Sequence, residues 1–532
     1  MKRRKFIQTT SVASLSAMVL PFLQCKNDVK KGESKDFQLS EITIEELQNK
    51  MKSGEYSARS ITQAYLDRIS EIDKAGPKLN AVIELNPDAL TIADTLDEER
   101  KNGKVRGKMH GIPVLIKDNI DTADKMQTTA GSIALEGNIA KSDAFIVEQL
   151  RKAGAIILGK TNLSEWANFR SDRSSSGWSS RGGQTKNPYI LDRSPCGSSS
   201  GSGVAVAANL CAVSIGTETN GSIACPASMN GIVGIKPTVG LLSRSGIIPI
   251  SKTQDTAGPL TRSVSDAAIL LGILAAVDPK DEVTEDSKGK AQTDYTKYLD
   301  KNGLKGKRIG VEKSFLKKHE GIDNLLHTAL EQMKSLGAEI IEVEYMQVND
   351  TDGAETTVLE FEFKDGINKY LSASNVKSKS LKDLITFNKT HEAKAMPDFK
   401  QETFESSEAR GDLSDKDYLA ALSKIVNTRK VIDTELQVNK LDALCGPATG
   451  PSWCIDPVNG DFWTGYGAYG PAALAGYPSV TVPMGNVKEL PIGISFLGKA
   501  YDEPGLISIA YAYEQVSKNR VVPKFIETAM KS

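Results

Sequence analysis

Three short segments concentrate the residue types that can do covalent chemistry. The first, His110-Gly111-Ile112-Pro113-Val114-Leu115-Ile116-Lys117-Asp118-Asn119, ends an apolar run on a lysine. A lysine so placed is either at the surface or held in a low-dielectric site. Burial there disfavours the ammonium and turns the amine into a base near neutral pH. The second, Ser194-Pro195-Cys196-Gly197-Ser198-Ser199-Ser200-Gly201-Ser202-Gly203, has the composition of a flexible linker. A linker has polar flanks, however, and this one runs into the apolar helix Val204-Ala205-Val206-Ala207-Ala208. Glycine and serine packed into a core mean close backbone approach, with hydroxyls and N–H groups aimed at something. The third, Gly216-Thr217-Glu218-Thr219-Asn220-Gly221-Ser222-Ile223-Ala224-Cys225-Pro226, follows the apolar strand Ala212–Ile215. A serine behind a tight polar loop can sit where backbone N–H groups converge, which is the geometry that holds an oxyanion.

Other chemistries fit less well. Gly197-Ser198-Ser199-Ser200-Gly201 matches the G-x-S-x-G elbow with Ser199 at its centre. That elbow needs a preceding strand and a histidine partner. Here a turn precedes it, and the histidines that follow, His319, His327 and His391, stand in charged settings. Ser374 and Lys377 make an S-x-x-K match without the companion S-D-N and K-T-G motifs, so they read as a solvated face. His110, beside Gly111-Ile112-Pro113, reads as a structural turn residue. Neither C-x-x-C nor H-E-x-x-H occurs, so no metal site is expected. Six cysteines in 532 residues do not make a disulfide framework. Cys196, Cys211 and Cys225 are expected as small buried thiols. Cys445 and Cys454, either side of a Pro/Gly-rich turn, are the candidates for a local bridge.

The positioning elements follow from periodicity and caps. Thr43-x-x-Glu46 is a capping box ahead of Ile44, Leu47 and Met51 at helical spacing, with Gly54 as the stop. Ser57 caps the next helix, whose Ile61, Tyr65 and Ile69 share a face. Val114-Leu115-Ile116 reads as a buried strand, Asp143 to Lys152 as a helix closed by Gly154, and Ala155 to Leu158 as the next strand. The same β-α-β grammar recurs over Arg308 to Val311, Asp323 to Leu336 and Ile340 to Val343, which implies a sheet between helical layers. Residues from about 345 to 430 are more charged and read as a peripheral helical excursion.

The first 25 residues differ in kind. Lys2-Arg3-Arg4-Lys5 precede a modestly apolar run from Val12 to Leu23, too short for a membrane span but suited to export. Arg3-Arg4-Lys5-Phe6-Ile7 looks like a twin-arginine signal. Leu23-Gln24-Cys25 resembles a lipoprotein box, with Cys25 the candidate lipid attachment point. Residues 26–38 read as a flexible tether and 39–530 as the folded domain. The expected address is therefore the periplasm, free or anchored as a lipoprotein. Net charge is −1, with 66 basic and 67 acidic residues interleaved, so no basic stripe for nucleic acid is present.

Taken together, the Gly/Ser-rich core with Lys117, Ser198 and Ser222 resembles the amidase signature family. Lys160 to Phe169, Ile247 to Ser251, Gln254 to Pro259, Gly476 to Pro483 and Pro491 to Ile494 carry the likeness further, toward bacterial peptide amidases. The resemblance implies an α/β fold, one large α/β/α sandwich whose mixed central sheet is covered by helices on both faces. It implies a nucleophile at Ser222, a bridging serine at Ser198 on a cis peptide, and Lys117 as terminal base. The backbone N–H groups of Thr219, Asn220, Gly221 and Ser222 would form the oxyanion hole. Ser199 and Asp255 would stand behind them, Asp255 as an organiser of hydrogen bonds or as a plain turn residue. Glu218 and Asn220 depart from the commoner acidic-Thr-Gly-Gly-Ser form, and the Asn220 side chain is expected beside the substrate carbonyl. The implied activity releases ammonia from a carboxamide, a C-terminal peptide amide or a small aliphatic or aryl amide, with no cofactor and no obligate protein partner. A glutaminase subunit of a transamidosome shares the signature but needs a partner and a cytoplasmic address. A catalytically dead binding lipoprotein would not need all three of Lys117, Ser198 and Ser222.

Overall fold

Thirteen strands occur in the computed structural model, which describes residues 37–349, 351 and 353–529. The export, lipid-anchor and most of the tether expectations fall on residues 1–36, outside the described residues. In chain order the strands are β1 Val82–Leu85, β2 Pro113–Lys117, β3 Ile156–Thr161, β4 Trp178–Ser179, β5 Gly183–Gln184, β6 Val213–Glu218 and β7 Val233–Lys236. They continue as β8 Thr256–Thr261, β9 Arg308–Glu312, β10 Glu339–Val343, β11 Ala443–Pro447, β12 Ser479–Val487 and β13 Leu490–Leu497. All but β4 and β5 join one sheet of 11 strands, ordered β1-β3-β2-β6-β8-β7-β12-β13-β11-β9-β10.

The sheet is mixed. Strand β2 runs parallel to both β3 and β6, and β9 runs parallel to both β10 and β11. Antiparallel pairings through β8, β7, β12 and β13 join these two parallel groups. Helices surround the sheet, as expected for an α/β architecture, and Leu39–Ser532 form one compact unit. Strand β2 is buried at every position, Lys117 included. A strand buried on both faces reads as a continuous apolar run rather than an alternating one.

The local signals act as their chemistry dictates. The Thr43 side chain takes the Glu46 N–H while Glu46 reaches back to Thr43, and Gly54 closes that helix at φ 79°. Ser57 caps Ala58–Arg68 by taking the Ser60 N–H. The charged stretch expected as an excursion forms the helices Ala354–Ala373, Leu381–Thr390, Glu392–Ala395, Glu402–Ala409 and Lys416–Val438. Among the described residues no helix is long and apolar enough to cross a membrane.

Candidate active site

In parallel strands the carboxyl ends point the same way, so the loops after β2 and β6 open at one edge of the sheet. Ile116 pairs with Ile215, which brings the end of β2 beside Thr217. Lys117 therefore points into the molecule at the site where the serine-bearing loop begins. Its Nζ lies 2.7 Å from Ser198 Oγ, 2.8 Å from Thr217 Oγ1 and 3.2 Å from the Thr217 carbonyl. Asn119 Nδ2 donates to the same Thr217 hydroxyl at 3.0 Å. Lys117 is wholly buried, and desolvation brings its pKa down to about 7, against the opposing pull of Asp255 and Glu218. An amine with that pKa is substantially uncharged at neutral pH and can take a proton.

Ser198 follows a cis peptide bond from Gly197 and is itself fully buried. Ser222, by contrast, keeps 9% of its surface and lines a cavity of about 260 Å³ together with Gly197, Thr219, Asn220 and Gly221. Of the two serines, Ser222 is the one a substrate can reach. The N–H of Ser199 donates to the Ser222 carbonyl at 3.2 Å, which ties the two serine segments side by side. Ser199 Oγ donates to the Thr217 carbonyl and accepts the Thr217 N–H, so Ser199 anchors the end of β6 and does not face the cavity.

The loop between Glu218 and Ala224 is held from both ends. Glu218 Oε2 accepts the N–H groups of Ile223 and Ala224 at 2.7 and 3.0 Å. Gly221 sits at φ 82°, and a Cβ there would lie 2.5 Å from the Tyr469 ring. Glycine alone meets both demands. Among the described residues, no carbonyl or side chain accepts the N–H groups of Asn220, Gly221 and Ser222, and these line the cavity. Unclaimed N–H groups around a serine can receive developing negative charge on a carbonyl oxygen.

Thr219 Oγ1 donates to Asp255 Oδ1 at 2.6 Å, and the N–H groups of Ile250 and Ser251 donate to Asp255 Oδ2. Asp255 thus orders the cavity wall through hydrogen bonds; burial raises its pKa against those same donors. The Asn220 side chain turns to Glu355, donating to its Oε1 at 2.8 Å, and Gln254 Nε2 reaches the same oxygen at 2.9 Å. Glu355 was not among the expected site residues. It opens the helix Ala354–Ala373, far along the chain, and nothing in its local sequence marks it.

Several candidates fall elsewhere. His110 is buried, with Nε2 2.9 Å from the Leu96 carbonyl, and no histidine lines the cavity. Trp166 packs in an apolar cluster against Phe404, while its neighbours Ala167, Asn168 and Phe169 line the cavity. Lys377 is exposed. The cysteine expectation needs correction: Cys196 and Cys225 are joined in a disulfide, whereas Cys211 and Cys445 are buried thiols and Cys454 an exposed one. Cysteine identities and spacings do not encode pairing; here the strand-loop path brings positions 29 apart to a Cα separation of 5.9 Å.

A second cavity of about 400 Å³ shares Ala167, Thr219 and Ile250 with the first and reaches Thr217 and Asn119. The walls of the Ser222 cavity include Phe169, Leu359, Trp453, Trp463 and Tyr469, with Trp463 48% exposed at the rim.

Comparison with known proteins finds a family described as Amidase whose model matches residues 60–507. A probable amidase of Arabidopsis thaliana is 42% identical over 506 residues, spanning 93% of each chain. A glutamyl-tRNA(Gln) amidotransferase subunit from Thermoanaerobacter pseudethanolicus is 36% identical, over 92% of this chain and 99% of that one. Among solved structures, the native peptide amidase of Stenotrophomonas maltophilia is 50% identical, with a TM-score of 0.89 over 92% of this chain and 99% of that chain.

Proposed function

The chain belongs to the amidase family, hydrolases that act on amide C–N bonds, and from that premise we propose that it cleaves C-terminal peptide amides to the acid and ammonia. The observation that carries the mechanism is the buried Lys117 amine 2.7 Å from Ser198 Oγ, the next residue along, Ser199, being tied through its N–H to the Ser222 carbonyl. Uncharged Lys117 takes a proton from Ser198, Ser198 takes one from Ser222, and the Ser222 oxygen attacks the amide carbon. The oxyanion so formed meets the N–H groups of Thr219, Asn220, Gly221 and Ser222. The relay then returns the proton to the leaving nitrogen, the C–N bond breaks and ammonia departs. Water, deprotonated by the same relay, cleaves the Ser222 ester and frees the carboxylic acid.

Support for a peptide substrate is the 50% identity to a peptide amidase and the aromatic cleft. Flat apolar walls suit residues preceding the carboxamide better than they suit a small aliphatic amide. Export completes the reading. Its supports are the basic-then-apolar start, with Cys25 as the candidate lipid attachment point, and a disulfide of the kind that persists in oxidising compartments.

A panel of peptide amides, simple aliphatic amides and free glutamine, assayed for ammonia release, tests this. Peptide amides should be the preferred substrates, and Ser222→Ala should abolish both turnover and labelling by a fluorophosphonate. Hydrolysis of simple amides with peptide amides untouched would overturn the substrate. Glutamine as the preferred substrate would favour a glutaminase, the reading to which the 36% identical amidotransferase relative lends weight.

A further inference from the structure

We propose that the Cys196–Cys225 disulfide is a positioning device for the two-serine proton relay, so that full turnover requires the bridge to be closed. Cys196 stands two residues before Ser198, and Cys225 three residues after Ser222. Along the chain both serines therefore lie close to the covalent closure, and the ring includes the helix Ser200–Ala207 and strand β6. Hydrogen bonds also join the two serine segments: Ser199 Oγ donates to the Thr217 carbonyl and accepts the Thr217 N–H, and the Ser199 N–H to Ser222 carbonyl bond, at 3.2 Å, reaches Ser222 itself.

Both ends of the bridge are built into the site. The Cys196 carbonyl accepts Ser200 Oγ at 2.6 Å, and the Cys196 N–H donates to Ser194 Oγ at 3.2 Å. Cys196 sits at φ 56°, a conformation that a side-chain-bearing residue adopts only when its surroundings hold it there. The Cys225 N–H donates to the Gly221 carbonyl at 2.8 Å, which couples the second sulfur to the glycine of the oxyanion loop. Around the pair pack Ala224, Met229, Ala448, Trp453 and Tyr469. Both cysteines line the Ser222 cavity, with 5% and 2% of their surfaces exposed, and that cavity is the side from which a small reductant would approach.

Proton transfer between hydroxyls needs them within hydrogen-bond reach, and a displacement of about 1 Å costs on the order of a hundredfold in rate. Opening the bridge frees the two segments to shift by such amounts while the sheet beneath stays intact. The chemistry is a thiol–disulfide exchange. A dithiol supplies two electrons and two protons, the Cys196–Cys225 S–S bond breaks to give two thiols, and the reductant closes its own S–S bond.

The inference rests on the relay proposed above, and the experiment separates the two. The full chain is treated with dithiothreitol, its thiols are counted by alkylation and mass spectrometry, and peptide-amide hydrolysis is measured before and after. Thiol formation at Cys196 and Cys225 should lower kcat by about ten- to a hundredfold while KM changes less than about twofold. Oxidation with glutathione disulfide should restore it. Cys196→Ser/Cys225→Ser should match the reduced enzyme and ignore the reductant. Unchanged kcat in protein shown to be reduced would overturn the proposal. So would loss of activity that tracks loss of far-ultraviolet circular dichroism, since that is a structural role only. If the double variant does not fold, the reduction series on the unaltered chain decides. Ser222→Ala in the oxidised protein reports on the relay: activity surviving there overturns the relay and the positioning role with it, whereas activity lost there but unmoved by reduction of the unaltered chain overturns the positioning role alone.

Discussion

At the scale of single residues, the site turns on one amine. With Lys117 brought to about 7 by burial, its protonated fraction grows as pH falls, and the protonated form cannot accept a proton. The profile of kcat/KM against pH should therefore rise through a midpoint near 7 and lose its activity on the acid side. Steady-state hydrolysis from about pH 5 to about pH 9 measures it. Lys117→Arg should be inactive throughout, because a guanidinium stays charged. A profile with its acid limb near the ordinary carboxylate range would assign the base to another group. Lys117, Ser198 and Ser222 stand out in the sequence because each breaks a local compositional rule, a lysine ending an apolar strand and hydroxyls packed into a core, whereas Asp255 reads there equally as a plain turn residue. Thr217 does not stand out, although its hydroxyl touches Nζ, since a threonine near the end of a strand is ordinary there. The pairing of Cys196 with Cys225 was equally hidden, for a thiol and half a disulfide are the same letter.

At the scale of elements, the helix Ala354–Ala373 matters beyond packing. Its first turn delivers Glu355 to Asn220 and Gln254, so the helical excursion holds one wall of the loop between Glu218 and Ala224 in place. Glu355→Ala removes a charged acceptor shared by two amides and should lower kcat/KM about tenfold. Glu355→Gln, whose carbonyl oxygen still accepts, should recover most of it. Kinetics on one peptide amide with both variants checks this, and equal losses would argue for charge rather than placement. Caps and apolar runs disclosed strand β2 and the helices around Thr43 and Ser57 within a residue or two, and strand β3 with its last three residues missed. The strand order was not legible, because the antiparallel returns through β8, β7 and β12 are set by which apolar faces meet in space.

At the scale of the whole molecule, one arginine ties the excursion to the segment that follows β3. Arg170 is wholly buried, pairs with Glu165 at 2.9 Å and donates to the Ala395 carbonyl at 2.6 Å. Its guanidinium also lies 4.3 Å from the centre of the Phe399 ring. Removing one member of a buried ion pair leaves the other charge stranded and typically costs about 3–5 kcal/mol. Arg170→Met should lower stability by that order, read as a drop in Tm or in the denaturant midpoint. An unchanged midpoint would show that the excursion is held by its apolar contacts alone.

The ring that leaves no room for a side chain at Gly221 belongs to Tyr469, which the ribosome reaches long after both serines have been made. Until that tyrosine and the helix Gly470–Ala475 that it precedes are in place, a growing chain carries the two serines and the amine but has no finished wall to shape a cleft around them. Premature termination or C-terminal clipping ahead of this tyrosine would thus yield inert fragments.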